Sequence, residues 1–151
     1  MSVWIGTFLV FTALAIASMF RVRFAYVAFV ALGVLWMPAR ASFRFAPRQC
    51  EMAMSLDLSV HSMTNYKHIF LFTMFAIMTL AQFGTDDRWR FVKLAALVLG
   101  MTIVVESEQA LLGVGHCRVR DIVPNAAGTL IGACIIEGVR AVRKPGHETG
   151  A

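Results

Sequence analysis

Apolar residues in this chain fall in long blocks, and the polar breaks between them predict the elements. Val3 to Phe20 carries no charge over eighteen residues and is long enough to span a bilayer. Arg21 and Arg23 flank a single Val22, and a second apolar block, Phe24 to Met37, follows before Pro38 stops it. At fourteen residues that block is short for a span. Either the two blocks form a tight hairpin with its arginines at the head groups, or the second is re-entrant. Further apolar blocks run from Tyr66 to Gly84, from Phe91 to Val105 and from Ile122 to about Val139. The pattern predicts an all-α membrane protein of about five apolar helical segments, with four to five spans.

The longest polar stretch is Ala39 to Asn65. Within it Met52, Met54, Leu56, Leu58 and Val60 alternate with Ala53, Ser55, Asp57, Ser59 and His61. That is the period of a strand rather than of a helix. Ser42-Phe43-Arg44-Phe45 alternates too, and Pro47 to Cys50 can supply a turn. A small β-hairpin on the extracytoplasmic surface is therefore expected, with an irregular interfacial loop as its alternative.

Composition agrees with a membrane setting: 58% of the 151 residues are hydrophobic and 15% charged, against roughly a quarter charged in soluble domains. Residues 1–140 read as one transmembrane domain and 141–151 as a basic, partly disordered tail. The net charge of +5 lies mainly at segment ends, where basic residues meet head groups, and no nucleic-acid motif accompanies it. Arg21, the first basic residue, follows the first apolar block, so that block lacks the basic start of a cleaved signal peptide. With five spans and a cytoplasmic C-terminus, eight basic residues (Arg21, Arg23, Arg88, Arg90, Lys93, Arg140, Arg143, Lys144) face the cytoplasm. Six (Arg40, Arg44, Arg48, Lys67, Arg118, Arg120) face outward. The loop 113–121 is then extracytoplasmic.

The chemistry concentrates in residues 106–132, ESEQALLGVGHCRVRDIVPNAAGTLIG. Glu106 and Gln109 share a helix face. Asp121, Asn125, Gly128 and Gly132 advance by four, three and four, within about 60° on a helix of 3.6 residues per turn. A short loop should pack the two helices antiparallel with these faces together, where His116, Arg118 and Arg120 can reach the carboxylates. Glycines there permit close backbone approach.

This spacing, Glu106-x-x-Gln109 followed by Asp121-x-x-x-Asn125-x-x-Gly128-x-x-x-Gly132, resembles the VanZ-like membrane proteins, a family named for low-level glycopeptide (teicoplanin) resistance. Gly115 and His116 stand where that family often has an arginine, and Arg118 or Arg120 can take the role. Asn65-Tyr66-Lys67-His68 partly matches a second family patch. With the polar constellation, the expected protein is a non-enzymatic one of the bacterial cytoplasmic membrane. Its polar pocket would bind membrane lipid or a cell-envelope precursor head group. The alternatives are an accessory subunit or assembly factor of a larger membrane complex, with the polar motif as a structural clasp, and a membrane enzyme using Glu106 or Asp121 as base and His116 as acid.

No cofactor or metal is expected, since His61, His68, His116 and His147 are scattered along the chain. Cys50 and Cys117 both fall outside in this topology and can form a disulfide, whereas Cys134 lies within the last block. The orientation is checked by fusions at the C-terminus: green fluorescent protein should fluoresce there and alkaline phosphatase should be inactive. Active phosphatase would invert the topology.

Overall fold

The computed structural model describes residues 2–40, 44–113 and 116–142. Their regular structure is helical: α1 (Ser2–Met19), α2 (Arg23–Arg40), α3 (Leu56–Ser62), α4 (Tyr66–Gln82), α5 (Arg90–Leu112) and α6 (Ile122–Val142). A single 3₁₀ turn, Val119–Asp121, leads into α6. Helix α2 runs past Pro38 to Arg40, so the proline lies within its last turn rather than ending it. Pro124 lies in the first turn of α6, where its missing N–H has no partner to lose. Among the described residues, one helical stretch, Val119–Val142, is long and apolar enough to cross a membrane. Leu9–Met19 and Arg23–Leu35 are shorter apolar helices.

Helix α4 is the centre of the bundle. Phe72, Phe75, Ala76, Ile77, Met78, Thr79, Leu80 and Ala81 are all buried there. Its most extensive contact is with α6, which lies parallel to it. Gly128 and Gly132 set the distance between them. A Cβ on Gly128 would collide with the Ile69 carbonyl, and one on Gly132 with the Thr73 carbonyl and Ala76 Cβ. Thr73 Oγ1 donates across this seam to the Gly128 carbonyl at 3.0 Å. Helix α5 runs antiparallel to both and touches α6 far less. The glycines of the last segment thus serve its contact with α4, two segments earlier, more than the contact with its sequence neighbour.

The α1–α2 hairpin turns at Arg21, whose φ of 62° lies in the left-handed region. It packs on α4 through Phe29, Ala15 and Met78. Two polar contacts fix its register: Tyr26 Oη to Thr79 Oγ1 at 3.0 Å, and Gln82 Nε2 to the Ser18 carbonyl at 2.7 Å.

The expected β-hairpin is not formed. Residues 44–50 have no regular structure, the Met52–His61 alternation gives way to α3, and no strand occurs among the described residues; Ser42 and Phe43 lie outside them. Two local forces favour the helix. Ser55 Oγ accepts from the Leu58 N–H at 3.2 Å as an N-cap, and Asp57 sits in the first turn. The extended residues before α3 pair instead with the α5–α6 connection. Ala46 and Arg48 N–H donate to the Leu111 and Ala110 carbonyls, and Glu51 exchanges backbone hydrogen bonds with Cys117 and Val119. The otherwise orphaned carbonyls at the C-terminus of α5 are satisfied in this way. The expected basic tail falls largely outside the described residues, including Arg143, Lys144 and His147.

Replacing Gly128 by Val should destabilise the protein by about 1–3 kcal/mol or more through overpacking. Gly100→Ala, where a Cβ meets nothing within 4 Å, should be neutral or stabilising by about 0.5–1 kcal/mol. Thermal unfolding in one detergent compares them, and equal midpoints would remove the glycine seam as the packing determinant.

Candidate functional site

One end of the bundle gathers the start of α4, the end of α5, the start of α6 and the segment 44–63. Most of the expected motif residues meet here, but with partners the spacing did not reveal. Asn125 is fully buried. Its Nδ2 donates to Thr102 Oγ1 of α5 at 3.2 Å, and its Oδ1 lies 2.8 Å from His68 Nδ1 of α4. The other ring nitrogen, His68 Nε2, faces Asp121 Oδ2 at 4.0 Å. Asp121 is 4% exposed, and Asn65 Nδ2 approaches the same oxygen at 3.5 Å. His68, Glu106 and Asp121 each present an atom within 4.8 Å of the other two.

The loop completes the site with its backbone. Arg118 N–H donates to Glu106 Oε2 at 2.8 Å. Glu106 Oε1 and Gln109 Oε1 are buried without a hydrogen-bond donor among the described residues, and Gln109 is 5% exposed. An unmet acceptor of this kind costs about 1–3 kcal/mol, so the region is held at an energetic disadvantage by its surroundings.

The guanidinium groups expected at these carboxylates go elsewhere. Arg120, 7% exposed, grips Glu51 through both terminal nitrogens at 2.5 and 3.1 Å. Arg118 Nε lies 3.3 Å from the same carboxylate, as a charge contact without hydrogen-bond alignment. His116 is exposed. Cys50 and Cys117 are joined by a disulfide. Closing 67 residues of chain contributes on the order of 4 kcal/mol in the chain-entropy account. Ser62 Oγ donates to the Arg120 carbonyl, which seats α3 on the same loop. Disulfide, ion pair and α3 together form a cap over the end of the bundle.

At the opposite end, Glu137 bridges Arg90 at 2.9 Å and Arg140 at 2.7 Å. Arg140 also donates to the Leu80 and Phe83 carbonyls at the end of α4.

Sequence reasoning missed two site residues. His68 had a signal in the partial patch Asn65-Tyr66-Lys67-His68, yet only packing of α4 on α6 puts its ring beside Asp121. Glu51 had none beyond its charge, because it lies 69 residues from Arg120.

No protein family, curated protein or solved structure matches the chain.

The arginines beside Glu51, Arg120 above all, hold its carboxyl below the ordinary glutamate value of 4.5. A depressed folded-state pKa gives stability that is complete above the unfolded value and lost as pH falls through the folded one. Acid titration should therefore loosen the cap only below about pH 4.5. Proteolysis of residues 44–63 should rise over that window in the wild type and vary far less in Glu51→Gln. Parallel profiles would show that the ion pair does not hold the cap.

Proposed function

We propose that this chain is a non-enzymatic integral membrane protein of the VanZ-like kind. In this reading it binds the polar head group of an envelope lipid or lipid-linked precursor at the capped end of the bundle. Helices α1, α2, α4, α5 and α6 cross the bilayer, the cap is extracytoplasmic and the C-terminus is cytoplasmic. At 1.5 Å per residue these helices are roughly 26–35 Å long, close to the hydrocarbon thickness. Their flanking charges separate by end: Arg21, Arg23, Arg88, Arg90, Lys93 and Arg140 lie at one, and Arg44, Arg48, Lys67, Arg118 and Arg120 at the other. Met52, Met54, Leu56 and Val60 of the cap are exposed and suit a head-group interface.

The observation that carries the ligand reading is the pair of buried, donorless oxygens on Glu106 and Gln109. Such acceptors call for a ligand rich in hydroxyl, amine or amide hydrogens. A groove of about 420 Å³ between α2, α4 and α5 supports a lipid as the bearer. It is lined by Tyr26, Val30, Phe75, Leu97, Met101 and Val104. A second reading is a structural clasp in an assembly factor or accessory subunit. The Thr102–Asn125–His68 chain favours it, because it ties three helices with no ligand.

Native mass spectrometry of protein extracted from bacterial membranes in mild detergent separates the two. A lipid adduct in the wild type that is lost from folded Glu106→Gln and Asp121→Asn supports head-group binding. Wild type free of lipid, with both variants unfolding at markedly lower temperature, makes the motif a clasp.

A further inference from the structure

The environment of His68 leads beyond a general polar pocket. Asn125 Nδ2 is committed to Thr102 Oγ1, so the amide presents its oxygen to the imidazole. His68 Nδ1 must then carry the proton and donate it at 2.8 Å. In neutral imidazole this leaves Nε2 as a bare lone pair. That lone pair faces carboxylates, which have none but lone pairs to offer. The 4.0 Å between Nε2 and Asp121 Oδ2 is too long for a hydrogen bond, so no shared proton relieves the contact.

An imidazole fixed through one nitrogen by an amide oxygen, with the other turned to acidic side chains, is the outer-sphere arrangement that orients metal-bound histidines. The charges agree. Arg118 and Arg120 are drawn off to Glu51, so no cationic side chain other than the imidazole is seen to contact Glu106 or Asp121 among the described residues. Gln109, one turn beyond Glu106 on the same helix face, is also buried with no donor to its Oε1.

We propose that His68 Nε2, Glu106 and Asp121 bind a single divalent first-row cation, Zn²⁺ or Mn²⁺. One nitrogen and two carboxylates suit these ions, and three protein ligands leave a coordination position open. Bond lengths of about 2.0–2.2 Å require the donor atoms, now within 4.8 Å of one another, to close by about an ångström. The proposal deepens the reading of this end of the bundle as a ligand site, and rests on it. Two carboxylates repel a phosphate, whereas a cation bound between them accepts one at its open position.

The test uses the full-length protein in detergent, freed of metal and titrated with Zn²⁺, Mn²⁺ and Co²⁺. The expected result is one equivalent bound, with affinity reduced 10- to 100-fold or more in His68→Gln and in Asp121→Asn. His61→Gln and His116→Gln should leave it unchanged. Co²⁺ gives a readout on the wild type that needs no variant to fold: visible d–d bands without thiolate charge transfer, since Cys117 is in a disulfide. Absence of saturable one-to-one binding, or unchanged affinity in His68→Gln, overturns the proposal. Mass spectrometry before and after chelation separates it from the head-group reading. Metal bound with no lipid at any stage supports the cation and removes the lipid. Lipid held by protein that takes up no cation removes the cation and keeps the lipid.

Discussion

Helices α6 and α4 approach each other closely enough for glycines to meet backbone carbonyls, and the other contacts of the bundle are arranged around that seam. With Gly128 and Gly132 pressed against the carbonyls of Ile69 and Thr73, there is no room for side chains between the two backbones. That approach is what allows a short side chain, Asn125, to reach His68, and what seats Asp121 beside the first turn of α4. Close packing of the two backbones favours the association through many small dispersion contacts. The polar site is a consequence of that seam rather than an independent device.

Burial then dictates how the charges are sorted. Arg120 is nearly inaccessible and needs a full counter-charge, and Glu51 supplies it from the segment before α3. The same exchange keeps the guanidinium from neutralising Asp121. Two carboxyl groups and an imidazole are thereby left together at the end of the bundle. The Cys50–Cys117 disulfide makes it durable, because it holds Glu51 and Arg120 in register even where the ion pair alone is half exposed to solvent.

Glu137 illustrates the same rule at the other end. Its partners come from α5 and from its own helix, and Arg140 also donates to the open carbonyls of α4. Arg120 and Glu51 lie 69 positions apart and Arg90 and Glu137 lie 47 apart, whereas Arg140 answers Glu137 from three positions away.

The helical blocks, the clustering of polar groups in residues 106–132 and the surface shared by Asp121, Asn125, Gly128 and Gly132 were legible along the chain. Those features are local, set by hydropathy and by the 3.6-residue period. The pattern misled at Met52–His61, where alternation suggests a strand but a Ser55 cap makes a helix and the neighbouring backbone is already paired with the α5–α6 loop. That α6 rests on α4, that Glu51 takes the arginines and that His68 joins Glu106 and Asp121 emerged from the folded arrangement. Periodicity says which face of a helix is polar or small. Which other helix meets that face depends on packing between segments far apart in the chain, and no local pattern encodes that choice.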